Sequence, residues 1–123
     1  MLIRQNFAIP LGDQIDVDLD INPDVESMVG TDITFRAYAQ NTGVAIGDPI
    51  LVKNLDAGLE IADPTYGLVI ISFDEADTIN LAPDNYYFEI TLYDLDGART
   101  TVTEGIMTLL RTRNPQTKEE LRP

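Results

Sequence analysis

The chain has 123 residues, of which 44% are hydrophobic and 24% charged, with 21 acidic residues against eight basic ones and a net charge of −13. This length fits one domain with a single core, and the composition is that of a folded domain and not of a disordered segment. The negative charge repels phosphate backbones and anionic bilayers, so we expect the chain to bind neither nucleic acid nor membranes.

The sequence lacks both cysteine and histidine. It therefore has no disulfide, no thiolate-held metal, and neither the usual general base nor the commonest transition-metal ligand. Ser27, Ser72, Lys53 and Lys118 have no activating partner in the sequence pattern, and no glycine-rich phosphate loop is present. We expect no enzyme activity, no catalytic residue and no cofactor.

The N-terminus has no basic segment followed by an apolar one, and no apolar run approaches the roughly 20 residues that cross a bilayer. We therefore expect a protein that is made in, and kept in, the cytoplasm of its cell.

Two segments in the first half of the chain alternate apolar and polar residues, which is typical of half-buried strands. They cover residues 13–21 and 31–40. The predicted inward positions are Ile15, Val17, Leu19 and Ile21 in the first segment and Ile33, Phe35, Ala37 and Ala39 in the second.

The middle of the chain has turn residues at 41–43 and 47–49 that predict a loop, followed by short strands at 50–53 and 59–61 around a turn at 56–58. The run from Gly67 to Phe73 is almost continuously apolar and β-branched. It predicts a central strand that is buried on both faces.

After this run, Asp74 stands in an N-cap position and predicts one short helical turn that ends before Pro83. Residues 86–93 alternate again, and an Asp-Gly pair at 96–97 predicts a hairpin turn into a long strand, 99–110, with a bulge at Gly105. In 86–93 the predicted inward residues are Tyr86, Phe88, Ile90 and Leu92, and the outward ones are Tyr87, Glu89, Thr91 and Tyr93. About seven short strands result, and their spacing favours an all-β sandwich of two antiparallel sheets.

The C-terminal residues differ in charge from the rest. Residues 1–110 carry four basic against nineteen acidic residues, whereas Arg111, Arg113, Lys118 and Arg122 face only two glutamates in 111–123. We predict a sandwich domain over 1–111 and an extended basic tail over 112–123. The tail is either an arm that docks on an acidic neighbouring copy or an ordinary frayed terminus.

Asp16, Asp18 and Asp20 could suggest a calcium site. In a strand, however, neighbouring members of such a row lie roughly 6 to 7 Å apart, too far to share one ion without another segment. The acidic pair at 94 and 96 lacks the spacing of a calcium-binding helix–loop–helix and fits a hairpin. We therefore expect a solvated strand face and no metal site.

Tyr38, Tyr87 and Tyr93 occupy the outward phase of their strands. Exposed aromatic rings in such positions are typical of interface anchors, and the alternative is that a loop or the tail of the same chain covers them. We assign these tyrosines, together with the four basic tail residues, as candidate interface residues.

Residues 67–109 resemble small immunoglobulin-like proteins of tailed bacteriophages, which include the N-terminal domains of baseplate upper proteins and stand-alone virion proteins. The shared pattern is a strand, Thr78 ending a short helical turn, Leu81-x-Pro83, a tyrosine-rich strand, the Asp-Gly hairpin and a strand containing glycine. Residues 9–13 show a weaker resemblance to the same proteins. This chain departs from the pattern at Asp84-Asn85, where relatives often have glycine.

The resemblance implies an immunoglobulin-like sandwich and a structural role in the virion. Its partners would be other virion proteins, such as the major capsid protein or tail and baseplate proteins. We expect first a capsid decoration or cement protein on the head surface, and second a baseplate or tail-fibre adaptor. We expect a homo-oligomer, such as a trimer, in either role. From another class, the tyrosines could instead form a carbohydrate- or receptor-binding platform.

Overall fold

The computed structural model describes residues 3–21, 32–63, 67–93 and 96–111. Within these ranges the chain forms strands and one short helix, which confirms an all-β, immunoglobulin-like sandwich. The elements are β1 Ile3–Arg4, β2 Phe7–Pro10, β3 Ile15–Asp20, β4 Asp32–Asn41, β5 Val44–Leu55, β6 Gly58–Asp63, β7 Leu68–Phe73, α1 Glu75–Thr78, β8 Asn85–Tyr93 and β9 Arg99–Leu110.

The strands follow the order β1-β9-β8-β4-β5-β6-β7-β3, and β2 also pairs with β9. The path bends between β5 and β6, which share only the pairs Asn54–Gly58 and Leu55–Leu59. The larger sheet runs from β1 and β2 to β5, and the smaller one contains β6, β7 and β3. Because Phe35 of β4 meets Phe73 of β7 edge-on, at 5.9 Å between ring centroids, the two sheets face each other across one core.

The core forms because the predicted alternation places one face of each strand inward. Phe7 of β2 and Phe88 of β8 lie 5.0 Å apart and join Phe35 and Phe73 in a cluster of four rings. Burying a side chain of this kind stabilises the fold by about 1.5–3 kcal/mol. The predicted inward residues of β8 are all buried, and so is Thr91, which was predicted to point outward. A register shift on β8 and β9 beside Ile90 and Thr91 accounts for that difference.

The connection from β7 to β8 contains the predicted helical turn, which begins after Asp74. Asp77 Oδ2 accepts the backbone N–H of Asp74 at 2.7 Å, and it also lies 2.6 Å from the ammonium group of Lys53, which is almost fully buried. This ion pair ties the helix to β5. At the start of β8 the Tyr86 hydroxyl donates to the carbonyl oxygen of Ala82 at 2.7 Å, which is the tyrosine corner typical of immunoglobulin-like sandwiches.

Three predictions about the strands are wrong. The segment 41–49 is not a loop, because only Thr42 and Gly43 form the turn and β5 begins at Val44. Ala39 is exposed, since β4 pairs with β8 only as far as Tyr38 and nothing underlies the strand beyond that point in the described residues. The strand β7 lies between β6 and β3 as predicted, but only one of its faces is buried.

Gly105 is not a bulge. It pairs in register with Phe88, and the backbone carbonyl oxygen of Gln5 lies only 1.5 Å from where a side-chain Cβ of residue 105 would stand. The glycine therefore makes room for the N-terminal segment, which runs parallel to β9 through β1 and β2. These two short parallel strands are absent from the prediction of about seven antiparallel strands. Of the predicted hairpin, Asp94 and Leu95 lie outside the described residues, while Gly97 has the expected positive φ of 83°.

Candidate functional site

The three tyrosines singled out from the sequence lie on the outer face of the larger sheet and are half-buried. Tyr38 and Tyr87 are directly opposite each other on β4 and β8, with ring centroids 6.0 Å apart and planes inclined by 42°. Tyr93 lies at the far end of the same pairing, opposite Asp32. The structure thus brings two of the three together.

The tyrosine hydroxyls are held by charged neighbours. Tyr87 donates to Glu104 at 2.9 Å and lies 3.5 Å from Glu89, to which Tyr38 donates at 3.4 Å. Arg36 donates to the Tyr93 hydroxyl at 3.0 Å. The tyrosines are therefore fixed by a hydrogen-bond network and do not stand free on the surface.

Glu89 and Glu104 are cross-strand neighbours, an arrangement that is unfavourable for two like charges. Arg99 compensates Glu89 and Arg4 compensates Glu104, each at 3.2 Å. Both arginines are more than half exposed, so each of these pairs contributes little to stability on its own. Together these contacts link Glu89 and Glu104 to two arginines and two tyrosines.

Burial and hydrogen bonding shift the pKa values of three residues on this face. Burial, and then the hydrogen bond to Glu104, raise the pKa of Tyr87 well above its ordinary value. Burial also raises the pKa of Tyr38, with a further contribution from Glu89. The hydrogen bond to Tyr93 raises the pKa of Arg36. The hydroxyl groups of Tyr38 and Tyr87 therefore remain protonated hydrogen-bond donors at neutral pH.

A two-stranded ribbon, formed by residues 39–46, extends beyond this face. Here β4 and β5 continue to pair from Ala39–Ile46 to Asn41–Val44, after the pairing of β4 with β8 has ended. The turn at its tip is formed by Thr42 and Gly43, both with positive φ, as a two-residue hairpin turn requires. At its base the register shifts, and four residues of β5, 47–50, stand opposite Tyr38 alone.

The ribbon is apolar and uncharged. Val44 is 63% exposed and Ile46 is 51% exposed, and every residue from 41 to 50 is exposed. Residues 39–47 contain no charged side chain, although the chain as a whole carries −13. Contiguous apolar surface of this kind on an acidic protein is typical of an interaction site.

The tip of the ribbon adjoins the tyrosines, and we call the ribbon and the tyrosines together the tyrosine–ribbon surface. By register, Val44 and Ile46 stand opposite Asn41 and Ala39, so their side chains project from the other side of the sheet than Tyr38 does. Two adjoining open depressions, of about 400 and 420 Å³, are both lined by Gly43, Tyr87 and Glu104. One of them also reaches Tyr38 and Val44. Because the depressions are shallow and open, they fit a protein segment better than an enclosed small molecule. The inclined rings, with their hydroxyls bonded to glutamates, also do not offer the flat stacking platform expected of a sugar site.

The sequence did not reveal the ribbon as part of the site. Its Gly and Asn residues indicated a loop, and its apolar residues are too few to give a strand signal. The longest run of uncharged residues in this strongly acidic chain, 37–47, was the signal that could have located it.

The basic residues predicted as interface anchors fall at the end of β9. Arg111 is exposed just after that strand. Arg113, Lys118 and Arg122 lie outside the described residues, as does the tail assigned to 112–123. Asp16, Asp18 and Asp20 are exposed on β3 as expected of a solvated strand face.

Across residues 3–21, 32–63, 67–93 and 96–111, no group of three or more acidic, histidine or cysteine residues is placed to hold a metal ion. In the same part of the chain, no helix has the length and apolarity needed to cross a membrane.

Comparison with known proteins gives a distant likeness in fold. No protein-family model matches the chain, and no curated protein matches it. Among solved structures, the fibronectin(III)-like modules of CbhA from Clostridium thermocellum are similar, with 10% identity and a TM-score of 0.46 over 89% of this chain and 92% of that one. A likeness this distant bears on no functional assignment.

Proposed function

We propose that this protein is a structural component of a bacteriophage virion, located on the head surface as a decoration or cement protein. It would act by binding other virion proteins, the major capsid protein first among them. The tyrosine–ribbon surface is the observation that supports an interaction role: an uncharged apolar ribbon beside two half-buried tyrosines, on a body that is otherwise acidic. The placement in a virion rests on the resemblance of residues 67–109 to phage immunoglobulin-like proteins.

The energetics of this surface favour protein contacts. Val44 and Ile46 expose most of their apolar area, and covering a side chain of this size stabilises a complex by about 1.5–3 kcal/mol. The hydrogen-bonded tyrosines add rigid amphipathic area of the kind that is enriched in interface cores. An uncharged contact also lets an acidic subunit approach a partner without bringing its own charges into the interface.

Particles of the phage whose genome carries this reading frame provide the test. The chain should be present in purified particles, and after separation of heads and tails it should remain with the heads in a fixed ratio to the major capsid protein. Recovery with tails would move the assignment to a baseplate or fibre adaptor. Absence from particles would refute the virion proposal.

The role of the ribbon is tested with Val44→Ser/Ile46→Ser. This variant should keep the melting behaviour of the wild type, because both side chains are exposed, yet lose incorporation into particles by at least tenfold. The matched control is Ile79→Ser/Leu110→Ser, which removes two apolar side chains of similar exposure, 48% and 46%, elsewhere on the molecule. Equal incorporation of both variants would show that the ribbon is not the binding surface.

A further inference from the structure

The outer face of the smaller sheet differs in charge from the outer face of the larger one. Arg4, Arg36 and Arg99 lie among the glutamates of the larger sheet. The strands of the smaller sheet, β3, β6 and β7, contain no lysine or arginine at all. Three of the four basic residues in 1–110 thus lie on one side of the sandwich, and the other side is left without compensation.

Acidic and apolar residues alternate across this uncompensated face. Asp18 of β3 stands opposite Ile70 of β7, and Ile70 stands opposite Glu60 of β6. Asp20 is likewise opposite Leu68. Residues directly opposite each other in antiparallel strands present their side chains on the same face. We call this surface, formed by Asp16, Asp18, Asp20, Glu60, Leu68 and Ile70, the acidic face.

The central strand of the acidic face is incompletely covered. Leu68 and Ile70 are only half-buried, and neither belongs to the core cluster or to the half-buried residues packed against it. The sequence of β7, apolar at nearly every position, is that of a strand buried on both faces. Leu68 and Ile70 therefore keep part of their apolar surface exposed, and a further segment can cover it.

The last described strand, β9, ends next to the connection that leads into β3. Leu11, which follows β2, donates its backbone N–H to Leu110 at 2.9 Å, so β9 ends next to the connection into β3. That connection takes only residues 11–14 to reach the start of β3 at Ile15. The twelve residues 112–123 can extend for about 40 Å, whereas the six residues of β3 cover about 20 Å. The segment is therefore long enough to turn and run the length of β3.

We propose that the basic segment 112–123 docks on the acidic face of its own sandwich in the isolated chain. Arg113, Lys118 and Arg122 then supply the positive charge that the smaller sheet lacks, and Leu121 is available to cover Leu68 and Ile70. The free edge of β3, which pairs only with β7, is covered by the same segment. The segment docks on its own chain and not on a second copy, because the two are covalently connected. A short connection gives an effective concentration in the millimolar range, which exceeds the concentration of a second copy in dilute solution. This inference does not depend on the virion proposal.

The experiment uses the full chain, in which the absence of cysteine allows one labelling site. A nitroxide on Thr117→Cys should broaden the amide resonances of β3 and β7 and leave those of Tyr87 and Glu89 sharp. Sodium chloride at 0.5 M should remove the effect, because screening shortens the range of exposed charges to a few ångströms. Isotope-labelled chain without nitroxide, mixed with unlabelled chain that carries it, should show no broadening.

Charge variants test the docking face directly. Asp16→Asn/Asp18→Asn/Asp20→Asn should reduce the ratio of docked to free segment about eightfold, since each exposed ion pair contributes a factor of about two. The matched control, Glu89→Gln/Glu104→Gln, neutralises the tyrosine network and should leave the broadening of β3 unchanged.

Each contrary result overturns the proposal. Broadening in the mixed sample would make a second copy the occupant. Broadening of β8 in place of β3 would move the docking site to the tyrosine–ribbon surface. If the nitroxide broadens the amide resonances of no strand, the segment is not docked on the sandwich.

Discussion

Replacing Gly105 by alanine should destabilise the fold, although alanine is ordinarily the better residue inside a strand. The new Cβ would stand 1.5 Å from the carbonyl oxygen of Gln5 and 2.7 Å from its carbonyl carbon. Both are backbone atoms, so no side-chain rotation relieves the overlap. The N-terminal segment must move away from β9.

The cost follows from the hydrogen bonds that this movement breaks. They join the Gln5 N–H to Glu104 O at 3.0 Å, the Ile106 N–H to Asn6 Oδ1 at 2.9 Å, Gln5 Nε2 to Thr103 Oγ1 at 3.2 Å and Thr103 Oγ1 to Ile3 O at 2.7 Å. At about 1 kcal/mol each, the four are worth about 4 kcal/mol. Alanine recovers about 0.5–1 kcal/mol through the lower entropy of the unfolded chain. We therefore expect a net loss of about 3 kcal/mol.

Urea denaturation followed by circular dichroism gives the free energy of unfolding, and hydrogen exchange should be faster at Gln5, whose backbone N–H donates to Glu104. The matched control is Gly97→Ala, where φ is 83° and no atom lies within 4 Å of the added Cβ. It should cost only the roughly 1–2 kcal/mol of left-handed backbone and leave exchange at Gln5 unchanged. A Gly105→Ala variant more stable than wild type would refute the close approach of the N-terminal segment.

Three further outcomes can be checked on the same chain. Lys53→Met should lower the free energy of unfolding by about 1–3 kcal/mol, because it leaves the carboxylate of Asp77 without its partner in a largely buried site. An unchanged denaturation midpoint would contradict this. Tyr86→Phe should cost about 1 kcal/mol through the lost hydrogen bond to Ala82, and a neutral result would mean that the tyrosine corner does not stabilise this fold. The raised pKa of Tyr87 means that the folded state holds the phenolic proton more tightly than the unfolded state, whose value is near 10.0. Its contribution is complete below pH 10 and is lost as the pH rises further, so denaturation from pH 8 to 11 should show a decline that is shallower in Tyr87→Phe; parallel profiles would argue against it.

The sequence predicted best the elements in which apolar residues face the core and polar residues face the solvent. The alternation in β3 and β8 located both strands and their inward faces, because each apolar residue there does lie in the core. The N-cap residue Asp74 also located the helix correctly. Helix capping is a local interaction, because the capping carboxylates and the backbone N–H groups that they accept lie within one helical turn.

The remaining differences come from interactions that are not local. β1 and β2 exist because they pair with β9, about one hundred positions away, and two- to four-residue strands have no periodicity of their own. Gly105 was interpreted as a bulge for the same reason, since its true neighbour is Gln5. The ribbon lies off the core and its residues are exposed, so they show no alternation between buried and exposed positions that the sequence could reveal.

The parallel pairing of β2 with β9 determines how the domain responds to force. Tension applied at the two ends of the chain draws these strands in opposite directions along their axes. The four registered pairs from Phe7–Met107 to Pro10–Leu110 then bear the load together, in shear, and are not opened one at a time as in a peeled hairpin. A domain anchored through both ends would therefore resist stretching at its terminal strands.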